Sequence, residues 1–126
     1  MFVRVSSIFG IALGMALWLT ACSDSKSNSP TMPSPSPSGS SVSIVSGASS
    51  RGTNAYSPNP LNVSVGSTVT WSNADGTPHT ATSNTGAFDT QNIAAGASKS
   101  VTFSTTGTFQ YHCSIHPGMM GTVIVQ

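Results

Sequence analysis

The chain has 126 residues, only 6% of them charged, and a formal net charge of +1. That length has room for one domain, and so few charges leave no broad basic or acidic face to steer nucleic acid or a polyanion. Once Arg4 is set aside, three cations (Lys26, Arg51, Lys99) balance three acids (Asp24, Asp75, Asp89), so electrostatic attraction is a weak guide to any partner.

The first segment reads as an address. Arg4 is followed by the apolar run Ile8–Leu19, shorter than the ~20 residues a bilayer-spanning helix needs and matching the core of a signal peptide. It ends in Leu19-Thr20-Ala21-Cys22, which resembles the lipobox of bacterial lipoproteins. The resemblance implies a signal peptide over 1–21, cleavage before Cys22 and diacylglycerol on its sulfur. The alternatives are an ordinary secretory signal with a chance cysteine, or a short uncleaved anchor. Several acyl chains anchor stably where one binds only marginally. In a cell with two membranes, the expected location is the periplasmic face, with the outer membrane favoured because Asp24 stands one place too late for inner-membrane retention. In a single-membrane cell it is the outer surface.

After Cys22, residues 23–41 are almost wholly Ser, Pro and small polar residues. Such a stretch cannot bury enough apolar surface to fold, so 22–41 reads as a lipidated cysteine and tether. Extended at about 3.1 Å per residue, the tether reaches on the order of 50–60 Å.

From Val42 onward the pattern alternates with period two, as half-buried strands do. Strands are expected near 42–46, 60–65, 68–73, 79–83, 97–103, 107–113 and 121–125. Gly66-Ser67, Asp75-Gly76, Ala95-Gly96 and Thr106-Gly107 punctuate them as turns. Seven strands at this spacing predict a two-sheet sandwich or partly closed barrel over 42–126.

The chemistry concentrates in Tyr111-His112-Cys113-Ser114-Ile115-His116-Pro117-Gly118-Met119-Met120-Gly121. With Cys22 lipidated, Cys113 is a lone thiol in an exported protein and calls for a role. Thiolate, imidazole and thioether lie at the end of one strand and in the loop to the next. His79, just after Asp75-Gly76-Thr77-Pro78, is the natural second imidazole. One soft thiolate, two imidazoles and a weak thioether form the donor set of a copper electron-transfer site. Zinc prefers more thiolates or an acid and has no use for a thioether. A thiol protease would leave the methionine unexplained. Singly, His79 reads as a strand-end histidine, while Met119 and Cys113 read as core filler; only together do they specify copper.

Residues 42–126 resemble the small bacterial cupredoxins, most nearly the plastocyanin and amicyanin group. The matching segments are Pro78-His79, Gly86-Ala87-Phe88-Asp89, Gly107-Thr108-Phe109-Gln110-Tyr111-His112-Cys113, and the loop through Met119 to Gly121-Thr122-Val123. The resemblance implies an all-β, Greek-key β-sandwich of seven to eight strands holding one type 1 copper. The short Cys-x2-His-x2-Met loop is similar to that of amicyanin. It favours Met119 as axial ligand over Met120, which would face outward. The resemblance also implies that the Thr80 amide donates to the Cys113 sulfur. Thr80 stands where the family commonly has an Asn that ties the two ligand loops, so a looser tie is expected. The domain also looks short on its N-terminal side, where an early strand is expected to be missing or irregular.

Strand alternation sends His112 away from Cys113, making it either a solvated surface residue or part of an electron path. Pro117, Gly118 and Met120 are expected to flank His116 in a small apolar docking patch. The leading functional reading is a monomeric one-electron carrier between a redox donor and acceptor. The alternative is copper delivery in the cell envelope, and a catalytic role is disfavoured because only His112 is left over for a second copper.

Overall fold

The structure, a computed structural model, describes residues 39–126. The signal segment 1–21, Cys22 and the tether up to residue 38 lie outside the described residues. Among the described residues, eight strands form two four-stranded sheets: β1 (Gly39–Ile44), β2 (Tyr56–Ser57), β3 (Leu61–Val63), β4 (Thr68–Asn73), β5 (Thr82–Ser83), β6 (Ser98–Thr102), β7 (Gly107–His112) and β8 (Met120–Val125). One sheet runs β2-β1-β4-β6 and the other β3-β8-β7-β5, the all-β sandwich expected from the alternation.

Strand β4 shows how pattern becomes layer. Val69, Trp71 and Asn73 point inward while Thr68, Thr70 and Ser72 face out. Paired with β6, the outward residues meet hydroxyl to hydroxyl: Thr68 with Thr102 (2.9 Å), Thr70 with Ser100 (2.8 Å) and Ser72 with Ser98 (2.9 Å). Inward, Trp71 is fully buried and stacks on Phe88 at 5.4 Å, with the Tyr111 ring edge-on at 5.6 Å. Aromatic pairs of this kind are worth about 0.5–1.5 kcal/mol each beyond the area they bury. Turns fall where expected, and Gly66 and Gly96 take φ of +85° and +75°, the left-handed region that glycine enters without steric cost.

Two strand boundaries shift most from expectation, while the N-terminal side is irregular as expected. Strand β1 covers 39–44 where 42–46 was expected, because Gly39, Ser40 and Ser41 pair in parallel with Thr68, Val69 and Thr70; backbone pairing, not apolar pattern, recruits them. The irregular N-terminal side consists of two single 3-10 turns, Ala48–Ser50 and Gly52–Asn54, followed by the two-residue β2. The expected 79–83 strand shortens to Thr82–Ser83, with His79 joined to Ile93 through an isolated bridge.

The end of the sandwich where β7 stops and β8 starts is bolted down by Asn59. Its amide nitrogen donates to the carbonyls of Thr53 (2.7 Å) and Met120 (3.1 Å), and its oxygen accepts the Thr122 amide (2.9 Å).

Candidate metal centre

Two loops meet at that end. The loop from β7 to β8 closes on itself: the Cys113 amide donates to the Met119 carbonyl (3.1 Å) and the Met119 amide to the His116 carbonyl (2.9 Å). This turn needs only the three-residue spacings from Cys113 to His116 to Met119, so the sequence folds there locally. The loop before β5 is held by a reciprocal backbone pair, His79 N–H to Ile93 O (3.1 Å) and Ile93 N–H to His79 O (2.8 Å).

The result is a compact set of donors. The Nδ1 atoms of His79 and His116 each lie 3.8 Å from Cys113 Sγ and 3.1 Å from one another. All three donor atoms fall within 4.8 Å of one another. His79, Cys113 and Met119 are fully buried, His116 is half-buried. Met120 is 48% exposed, so burial separates the two methionines as the loop pattern predicts. Two ring nitrogens and a sulfur turned toward one point, with a buried thioether in the same loop, suit a soft-to-borderline ion and fit copper.

The surrounding shell orients these donors. The Thr80 amide donates to Cys113 Sγ at 3.3 Å, as the resemblance implied. The expected looser tie between the loops is corrected. Thr80 Oγ1 accepts the Ser114 amide (2.8 Å) and meets the Ser114 hydroxyl (3.0 Å). A short hydroxyl thus bridges the loops directly because Ser114 comes to it. Tyr56, whose buried phenol is held protonated well above its ordinary range, donates to the Thr80 carbonyl at 2.5 Å.

Asp75 is the residue that sequence reasoning missed, having been read only as part of a turn. Its Oδ2 accepts His79 Nε2–H at 2.8 Å and the Thr77 hydroxyl at 3.2 Å. Its Oδ1 accepts the amides of Gly47 (3.0 Å) and Gly76 (2.9 Å). Those bonds, the Gly47 amide foremost and His79 next, hold its carboxyl well below the usual carboxylate range. By binding Nε2–H, Asp75 selects the tautomer whose Nδ1 lone pair faces Cys113, the task outer partners perform for metal-bound histidines. The available signal was an acid four residues before a ligand histidine.

Asp75→Asn is therefore expected to weaken copper binding by about 10–100-fold in chelator competition. It should also destabilise the metal-free chain at neutral pH. A depressed carboxyl contributes fully above its unfolded value of about 3.9 and less as pH falls below it. The gap in melting temperature between wild type and variant should accordingly narrow below about pH 4.

Fold and site together define a single-copper protein of the cupredoxin class, with His79, Cys113, His116 and Met119 arranged as a type 1 copper site. Residues 43–126 match the family of copper binding proteins of the plastocyanin/azurin type, and the chain belongs to that family. It is 35% identical over 103 residues to plastocyanin of Scenedesmus fuscus, covering 68% of this chain and 99% of that one. It is 37% identical over 76 residues to amicyanin of Paracoccus denitrificans, covering 56% of this chain and 58% of amicyanin's length. Among solved structures, a purple cupredoxin from Nitrosopumilus maritimus aligns with a TM-score of 0.63 and 32% identity, over 69% of this chain and 99% of that one. A copper-containing nitrite reductase from Thermus scotoductus also aligns, with a TM-score of 0.60 and 27% identity, over 72% of this chain but 23% of the enzyme.

Proposed function

We propose that the protein is a non-enzymatic one-electron carrier that works, as a monomer, between membrane-associated redox partners. The observation that carries this reading is the closed donor set: three buried donors and one half-buried imidazole. Bound there, copper would supply one-electron chemistry between Cu(I) and Cu(II). The chain's own residues do the rest. Cys113 would provide the thiolate, His79 and His116 the imidazoles and Met119 a weak thioether. Thr80 and Asp75 hold sulfur and ring in place, so the donors need not move between oxidation states. Burial of Met119 and Cys113 excludes water. A catalytic copper would need further histidines, and among the described residues only His112 is unassigned.

His116 offers the half-exposed edge by which an electron would leave. Pro117, Gly118 and Met120 around it are exposed, and so is Ile115, at 46%, an apolar residue that the sequence reading left out of the patch. A patch of this composition docks a redox partner by apolar contact. The Leu19-Thr20-Ala21-Cys22 motif supports a lipid anchor at Cys22 on the periplasmic face of an envelope membrane, the outer one favoured. The Ser/Pro tether would let the domain search for partners close to that membrane.

The test uses the copper-loaded full chain, cycled repeatedly with ascorbate and ferricyanide. Retention of stoichiometric copper and full recovery of colour is the expected result. Copper lost on each cycle would sink the carrier reading and favour delivery. Electron exchange with a small redox protein should change little between low and high salt, since screening acts on charges this patch lacks.

A further inference from the structure

His112 and Met120 are not used by the copper centre, yet they stand directly opposite one another in the β7–β8 pair. Alternation along both strands turns their neighbours Cys113 and Met119 inward and puts this pair on the outer face of the same sheet. Side chains directly opposite in an antiparallel pair have Cβ atoms about 5 Å apart, which sets an imidazole and a thioether at neighbouring positions on that face. The ring is held in one orientation: His112 Nδ1–H donates to Asn84 Oδ1 at 2.6 Å, which leaves Nε2 as its free lone pair. Met120 is 48% exposed. Beside it opens a cavity of about 250 Å³ lined by Asn59, Asn84, Gln110, Met120 and Thr122, among others. Asn84 thus serves both as the brace of His112 and as a wall of the cavity that Met120 lines, His112 itself standing outside that cavity.

We propose that His112 and Met120 form a second, solvent-facing site for a soft monovalent ion, Cu(I). The donor chemistry selects it. A thioether favours Cu(I) over harder ions, imidazole accepts copper, and a two-donor site suits an ion of low coordination number. Zinc requires more donors than this face provides and takes no thioether. The pair is also placed for a purpose. His112 precedes Cys113 and Met120 follows Met119, so the outer donors lie across the sheet from two donors of the centre. Cu(I) held outside would feed the site within, and the pair would act as its loading port.

The experiment titrates the anaerobic full chain, its centre already holding one equivalent of Cu(I), with further Cu(I) supplied as its acetonitrile complex. Bound copper is counted, and the ring nitrogens of His112 and the methyl of Met120 are followed by NMR. A second equivalent should bind and shift both sets of signals. His112→Gln and Met120→Leu should each weaken that second equivalent by about tenfold or more, since loss of a donor exceeds the loss of an outer-shell partner. Met120→His should retain it, which controls for damage to the fold. Binding of only one equivalent, or a second that survives both variants, overturns the proposal. If the first equivalent fails to bind, the reading of the buried centre falls instead, and the His112 and Met120 signals still report on the outer pair.

Discussion

Cys113→Ser should yield a folded chain that has lost the intense visible absorption of the copper-loaded protein and can no longer be cycled with ascorbate and ferricyanide. The colour of such a centre arises from charge transfer between thiolate sulfur and copper, and Cys113 is the only cysteine among the described residues. Serine replaces a soft, polarisable donor with a hard one in a site whose other donors suit copper. Copper affinity should fall by more than the 10–100-fold typical of losing an outer-shell partner. The fold should survive. Cys113 is fully buried, but serine is close to its size and its hydroxyl can accept the Thr80 amide that now points at sulfur. Thermal unfolding of the metal-free variant supplies that control. Should the colour persist, the sulfur must come from Cys22, the only other cysteine in the sequence, and the buried centre would be wrong.

The ligand set was legible because most of it is local. Cys113, His116 and Met119 belong to one turn whose hydrogen bonds span three to six residues. His79 lies 34 residues from Cys113 and could be named only because soft donors need a second imidazole and few histidines exist. Asp75 was illegible for the opposite reason. Its carboxylate is held partly by the amide of Gly47, 28 residues away, and every residue except proline carries such an amide. Strand β4 was read at its true limits because Val69 and Trp71 alternate with hydroxyl residues. The stretch after β1 carries no such rhythm. Ala48 and Ala55 are buried there without a period, and Tyr56 enters the core from a strand of two residues. Thr80 was misjudged on side-chain length alone, whereas the approach of Ser114 decides whether the loops are tied.

Gly121→Ala should be among the most destabilising single-methyl changes in the domain. Gly121 pairs directly with Tyr111 across β7 and β8, and a Cβ there would overlap Cζ, Oη and Cε2 of the tyrosine ring. The arrangement is an aromatic ring laid over a strand glycine, a known device for pinning register. The ring is hemmed in on its core side. It is 1% exposed, sits edge-on to Tyr56 at 4.8 Å and to Trp71 at 5.6 Å, and its phenol is pushed up to about 12 by burial. Overpacking a tight core costs typically 1–3 kcal/mol, and the upper end applies where the obstructing group is buried against other rings, as Tyr111 is, although it also borders the cavity beside Met120. For a domain of this size that corresponds to a fall in melting temperature of roughly 12–24 °C, at 4–8 °C per kcal/mol. Backbone conformation does not supply the penalty, because Gly121 is not among the glycines with positive φ. A double-mutant cycle with Tyr111→Leu separates the two causes: a steric origin predicts that the pair is less unstable than the sum of the singles, by about 1 kcal/mol or more. Additive effects, or a loss below about 1 kcal/mol in Gly121→Ala alone, would mean that the ring has room. The consequence reaches the metal, since Tyr111 and Gly121 each stand two residues from a donor, Cys113 and Met119. A tyrosine forced aside there should change the visible spectrum even in molecules that remain folded.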